Sequence, residues 1–242
     1  MLEASPLITI VDDDESLRRA LARLLGAEGF RVRALASARE LLDEPDDMEP
    51  GCLLLDVRMP HVDGLTLQDI LAAQGSQRAI VFMTGHGDVH ASVRAMKAGA
   101  IDFLIKPFSD EELLQAINRA LIQDAELRYV RRDREELLRR AATLTRRERE
   151  VCLLVAKGML NKQVAATIGT TEKTVKVHRA RVMAKMMATS LADLVRLVDR
   201  LNGELPRPGD VRLSHRLGPV QGEYLSDQPG SGADEGRSWA TS

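Results

Sequence analysis

The 242 residues predict two folded units in series: an α/β unit on a five-stranded, parallel, doubly wound sheet, and an all-α unit behind it. Three observations carry this. Residues 7–122 alternate short β-rich runs with segments of helical spacing, whereas residues 143–203 show helical patterns only. Charge divides along the same line. Residues 1–124 hold 12 Lys+Arg against 21 Asp+Glu, and residues 143–203 hold 12 against 5.

The β-rich runs are Leu7–Val11, Arg31–Ala34, Cys52–Asp56, Ala79–Met83 and Asp102–Lys106. Three are almost continuously apolar, as strands covered on both faces must be. Between the runs, Leu17, Leu21, Leu24 and Leu25 recur at helical spacing. The α/β unit is assigned residues 1–124. Residues 125–142 continue the last helix or form a helical linker, with the charges from Asp124 to Arg140 read as a solvated face. In the all-α unit, 143–203, Thr145 and Glu148 form a capping box. The helix they open ends at Gly158, and a second runs from about Lys162 to Ile168 and stops at Gly169. A third spans about Thr171–Met187, and a fourth Ser190–Leu201. Residues 204–242, with the only tryptophan (Trp239), are rich in Pro, Gly, Ser and Asp and are expected to be disordered.

Two cysteines, Cys52 and Cys152, sit among apolar neighbours with no second Cys or His at ligand spacing, so they read as buried free thiols. The sequence shows no signal peptide, and no apolar run approaches the ~20 residues of a membrane span. A cytoplasmic protein without membrane contact is expected.

Strands of an open parallel sheet present ligands at their carboxyl ends, where the strand order reverses. Here those ends carry Asp12-Asp13-Asp14, Asp56, Thr84 and Lys106. In the order 2-1-3-4-5, Asp13 and Asp56 share a crevice, with Thr84 and Lys106 beside them. Crowded carboxylates repel unless a cation joins them, and an all-oxygen donor set favours Mg²⁺. One carboxylate can serve as the nucleophile for a phosphoryl group, whose charge a metal and an ammonium neutralise. Each residue has a plainer reading, such as Asp14 capping the first helix. That reading does not explain why acid, hydroxyl and lysine all end strands of one sheet. A dehalogenase-like phosphatase needs a second Asp where this chain has Arg58, and a dinucleotide fold needs a glycine-rich loop after the first strand.

Residues 7–122 resemble a response-regulator receiver domain of the flavodoxin/CheY-like fold. The resemblance implies Asp56 as phosphoacceptor, Asp12 and Asp13 as the acidic pair, and Mg²⁺ held by Asp12, Asp13, Asp56 and the backbone carbonyl of Arg58. It makes Thr84 the switch hydroxyl, Lys106 the phosphoryl-binding lysine and Phe103 the switch aromatic, and implies a cis bond at Lys106–Pro107. The stretch Thr84-Gly85-His86-Gly87-Asp88 is similar to the FixJ-like subgroup, with His86 read as an exposed loop residue.

On the third helix of the all-α unit, Val175, Val182 and Met186 share one face, with Thr171 at its start. Lys173, Lys176, Val177, Ala180 and Ala184 share the opposite one, flanked by Arg179, Arg181 and Lys185. Small apolar residues among lysines suit close approach to base edges. The wheel alone fits a solvated amphipathic helix equally well, and the preceding helix with its Gly169 turn favours the first reading. The segments 144–151, 161–165 and 174–179 resemble the LuxR-type helix-turn-helix. Lys176 and Val177 are thereby implied to face bases, with Ala180 on the same face. Lys173, Thr174, Arg179 and Arg181 are implied to lie near phosphates, and Glu148 and His178 to be structural. Gln163 and Ala188 depart from the family's usual residues. Together the resemblances imply a phosphorylation-dependent transcriptional regulator with a sensor histidine kinase, double-stranded promoter DNA and a second copy of itself as partners. No enzyme activity is expected beyond its own phosphorylation and dephosphorylation. Rival readings are a phosphatase or phosphotransferase and a phosphate-independent adaptor.

Overall fold

The structure is a computed structural model that describes residues 5–43, 49–85, 89–203 and 205–206. Five strands, β1 (Leu7–Val11), β2 (Arg31–Leu35), β3 (Gly51–Asp56), β4 (Ala79–Thr84) and β5 (Asp102–Ile105), pair in parallel in the order β2-β1-β3-β4-β5. β1, β3 and β4 are buried at every position. Alternation along these strands divides their side chains between two cores. Leu53 and Leu55 face a core shared with α2 (Ala38–Asp43), α3 (Gly64–Ala73) and α4 (Val89–Lys97). Cys52 and Leu54 face a core shared with α1 (Glu15–Ala27) and the start of α5 (Asp110–Ala142).

Side-chain caps open α1 and α5. Asp14 accepts from the Ser16 and Leu17 amides at α1. Ser109 and Glu112 form a reciprocal capping box at α5.

α5 is one unbroken helix of 33 residues, about 50 Å long at 1.5 Å per residue. Leu113, Ala116, Ile117 and Ala120 cover the sheet. Leu137 and Ala141 belong to a third core, built with α6 (Arg146–Ala156), α7 (Asn161–Ile168), α8 (Glu172–Met186) and α9 (Leu191–Arg200). The solvated-face reading of the stretch Asp124–Arg140 fails at its start. Asp124 is buried and bonded to Arg128 Nε at 2.6 Å, because its carboxylate also takes the Gly51 amide of β3. Leu205 packs against the third core. His86 and the rest of the tail, Trp239 included, lie outside the described residues.

Both thiols are free and buried. Burial, with the nearby Asp124 charge, pushes Cys52 up to about 12, and burial alone pushes Cys152 up to about 11. Among the described residues, no helix is long and apolar enough to cross a membrane.

Candidate functional site

Sheet register gathers the acidic site. Val11 pairs with Leu55, so the next residues, Asp12 and Asp56, end adjacent strands. Thr84 pairs with Ile105, which places Lys106 one residue beyond. Lys106 Nζ donates to Asp12 Oδ2 and to Asp56 Oδ1, both at 2.7 Å. Asp12 is fully buried and Asp56 is 5% exposed. The second oxygen of each carboxylate accepts a backbone amide: Asp14 N at 2.8 Å for Asp12, and Arg58 N at 2.9 Å for Asp56.

Burial raises the Asp56 pKa, and the Asp12 charge adds to this against the opposing pull of Lys106. Burial alone would lower the Lys106 pKa, but its bonds to the two carboxylates reverse this and raise it.

Thr84 is 1% exposed, and its carbonyl accepts the Lys106 amide at 2.6 Å. Phe103 is half-buried against the α3–α4 core, its ring 6.3 Å from that of Phe82. The Lys106–Pro107 bond is cis.

Asp12, Asp56 and Lys106 are thus brought into contact, with Thr84 bonded to Lys106 through the backbone. Asp13 lies outside this bonded trio. Its side chain is exposed on the β1–α1 loop, and among the described residues no three acidic, His or Cys side chains are grouped as metal ligands. A third carboxylate beside two buried ones is better solvated by water, and one ammonium already joins the pair. The donors at this strand end are nonetheless all hard oxygens: the carboxylates of Asp12, Asp13 and Asp56 and the Arg58 carbonyl. They fit Mg²⁺ in chemistry.

Sequence reasoning missed Arg18, which donates to the Asp12 carbonyl at 2.6 Å from α1. It also missed Gly64. A Cβ there would stand 2.3 Å from the Asp56 carbonyl oxygen and 3.1 Å from the Phe82 ring, so α3 begins hard against the end of β3. Gly64→Ala should therefore cost roughly 1–3 kcal/mol through forced displacement. Thermal unfolding of the two proteins checks this, and an unchanged midpoint would refute the close approach.

In the C-terminal unit, α7 ends at Gly169 with φ 68°, and Thr171 caps α8 by accepting the Thr174 amide. Val175, Val182 and Met186 are buried, and Lys173, Lys176, Val177, Ala180, Arg181 and Ala184 are exposed along the other side. Thr174 and Arg179 are half-buried, and Arg179 donates to Asn161 Oδ1 of α7 at 3.3 Å. Lys176 lies 3.8 Å from Glu172.

Lys185, placed by the helical wheel on the flank of the basic face, points elsewhere. It donates to Glu148 Oε2 at 2.6 Å and to the Thr143 carbonyl at 2.9 Å. Gln163 keeps its helix start in order by accepting the Leu160 amide at 2.8 Å.

Glu148 is 2% exposed, and although burial alone would raise its pKa, Lys185 and Thr145 lower it below the usual 4.5. A depressed carboxyl pKa adds stability above the unfolded value, lost as pH falls through the folded one. Glu148→Gln should lower stability at pH 7 by about 2 kcal/mol, the scale of a hydrogen bond to a charged group. The deficit should shrink below pH ~4 as the native carboxyl protonates. Denaturant melts across this range check it, and a pH-independent deficit would refute the charge pairing.

The family model for the response regulator receiver domain matches residues 8–118, and that for bacterial regulatory proteins of the luxR family matches residues 142–198. Nodulation protein W of Bradyrhizobium diazoefficiens is 47% identical over 195 residues, covering 81% of this chain and 86% of that protein. The chain belongs to the response regulators. It joins a receiver domain to a LuxR-type DNA-binding domain, the plan of two-component transcriptional regulators. The low-resolution structure of response regulator StyR superposes with a TM-score of 0.71 at 44% identity, covering 81% of this chain and all of that one. Full-length FixJ from B. japonicum gives 0.51 at 40% identity, covering 82% and 98%.

Proposed function

We propose that Asp56 of this response regulator accepts a phosphoryl group from the phosphohistidine of a sensor kinase, and that the phosphorylated chain dimerises on promoter DNA through α8. The observation that carries the proposal is the single ammonium of Lys106 bonded to both Asp12 and Asp56 at 2.7 Å. A buried carboxylate beside a fixed ammonium is a nucleophile with charge stabilisation already in place.

In the transfer, an Asp56 oxygen bonds to phosphorus, the P–N bond of the phosphohistidine breaks, and the imidazole leaves with the electron pair. Lys106 exchanges its carboxylate contact for a phosphoryl oxygen. Thr84 donates its hydroxyl to another phosphoryl oxygen, and Phe103 turns inward behind it. Asp12, Asp13, Asp56 and the Arg58 carbonyl would hold Mg²⁺, which when bound neutralises phosphoryl charge. The repacking alters the surface around α4 and β5, where two copies meet. Lys176 and Val177, with Ala180 beside them, then face base edges, while Lys173, Thr174, Arg179 and Arg181 approach phosphates. The receiver domain is assigned 1–124, the linker 125–142 and the DNA-binding domain 143–203. The protein works where its DNA lies, in the cytoplasm, with no turnover beyond its own phosphorylation and dephosphorylation.

The test is incubation with a small acyl phosphate and Mg²⁺. One phosphoryl group should add at Asp56 by mass spectrometry, and none should add when the metal is chelated before the phosphodonor is supplied. Labelling of another residue, or none, would refute the assignment.

A further inference from the structure

We infer that a partly buried clasp at the far end of β3, formed by Asp124 and Arg128 of α5, keys the linker helix to the phosphoacceptor strand and sets how strongly phosphorylation changes DNA binding. The inference rests on the function proposed above and names a control point within it.

β3 carries Asp56 at its last residue and Gly51 at its first, about 17 Å away at ~3.3 Å per residue. The strand is buried throughout and paired on both sides, so it moves as a unit. A Cβ on Gly51 would lie 1.9 Å from the Leu7 carbonyl oxygen, so its start is fixed against β1. Onto this start α5 places two charges. Asp124 Oδ2 accepts the Gly51 amide at 3.1 Å, and Arg128 donates both to Asp124 and to the Glu49 carbonyl just before the strand. Asp124 is 6% exposed.

The same helix is tied further along. Arg131 donates to Gln77 at 3.1 Å, two residues before β4, the strand that ends in Thr84. Beyond it, Asp133 pairs with Arg200 at the end of α9, and Arg134 donates to the Arg200 carbonyl at 2.9 Å. Residues 124–134 therefore connect the starts of the two strands that carry Asp56 and Thr84 to the end of α9.

Stability alone does not call for this arrangement, because apolar packing often replaces a buried ion pair without loss. A polar clasp instead fixes one rotational setting of α5 on the sheet.

The full chain is titrated with operator DNA with and without fluoroberyllate as phosphoryl analogue, and the ratio of the two affinities is the readout. In Asp124→Asn and in Arg128→Met this ratio should fall by roughly fivefold or more, with acyl-phosphate labelling of Asp56 retained. The double variant should fall no further than either single one, as residues of one unit behave. Arg128→Lys keeps the charge but not the fork, and should give an intermediate ratio even where the other variants fold poorly. Asp133→Asn, at the other anchor, should also lower it. A wild-type ratio in folded variants would overturn the clasp as a control point and leave the proposed function standing. A ratio near one in the wild-type chain would overturn both.

Discussion

Asp56→Asn should leave the chain monomeric at every acyl-phosphate concentration, while the native protein shifts to dimer. The amide matches the carboxylate in shape, and its oxygen can accept from Lys106 as Asp56 does at 2.7 Å. The fold around it should therefore stand, but an amide oxygen is too weak a nucleophile to take the phosphoryl group. The loss should be complete rather than graded, because no other described acid touches Lys106 except Asp12, which is fully buried. Sedimentation equilibrium with and without the phosphodonor reads the outcome. Dimerisation of the variant at the native concentration would show that the phosphoryl switch does not run through this residue.

The second large effect lies on α8. Lys176→Ala should weaken binding to the preferred operator by about 1–3 kcal/mol, roughly 5- to 150-fold, and relax discrimination at one base position. Arg181→Ala should instead weaken all sequences alike and lower the salt slope by about 1. Lys185→Ala separates charge from contact. It removes an equal charge from the same helix, but from a side chain held by Glu148 and the Thr143 carbonyl, so it should lower stability and leave the salt slope unchanged. Binding isotherms at several salt concentrations distinguish the three. Equal effects from all of them would mean that α8 contributes bulk charge only.

Much of this was legible in the sequence, where one residue's chemistry and one local period suffice. β1, β3 and β4 announced themselves as apolar runs because both faces are covered. Thr145 and Glu148 announced α6 through three-residue spacing. The buried and exposed sides of α8 followed from 100° per residue, since a straight helix packed on one side obeys its own geometry.

What stayed hidden depends on contacts between distant segments. Asp124 and Arg128 look like a solvated i,i+4 pair until β3 is seen to begin beneath them. Lys185 has the wheel position of a phosphate contact, and only the placement of the α5–α6 turn turns it inward. Gly64 carries no local signal, because the atom it must avoid is a carbonyl eight residues back in the chain. The acids at the strand ends were legible as residues, but their arrangement was not. The exposed Asp13 beside two acids joined by Lys106 follows from solvation rather than spacing.

The most direct measurement is sequence-selective footprinting of promoter DNA by the full chain, with and without fluoroberyllate. The predicted result is protection of paired half-sites, about 10 base pairs or a multiple apart, that appears or tightens only with the analogue bound. A footprint of the same position and affinity in both conditions would contradict the account.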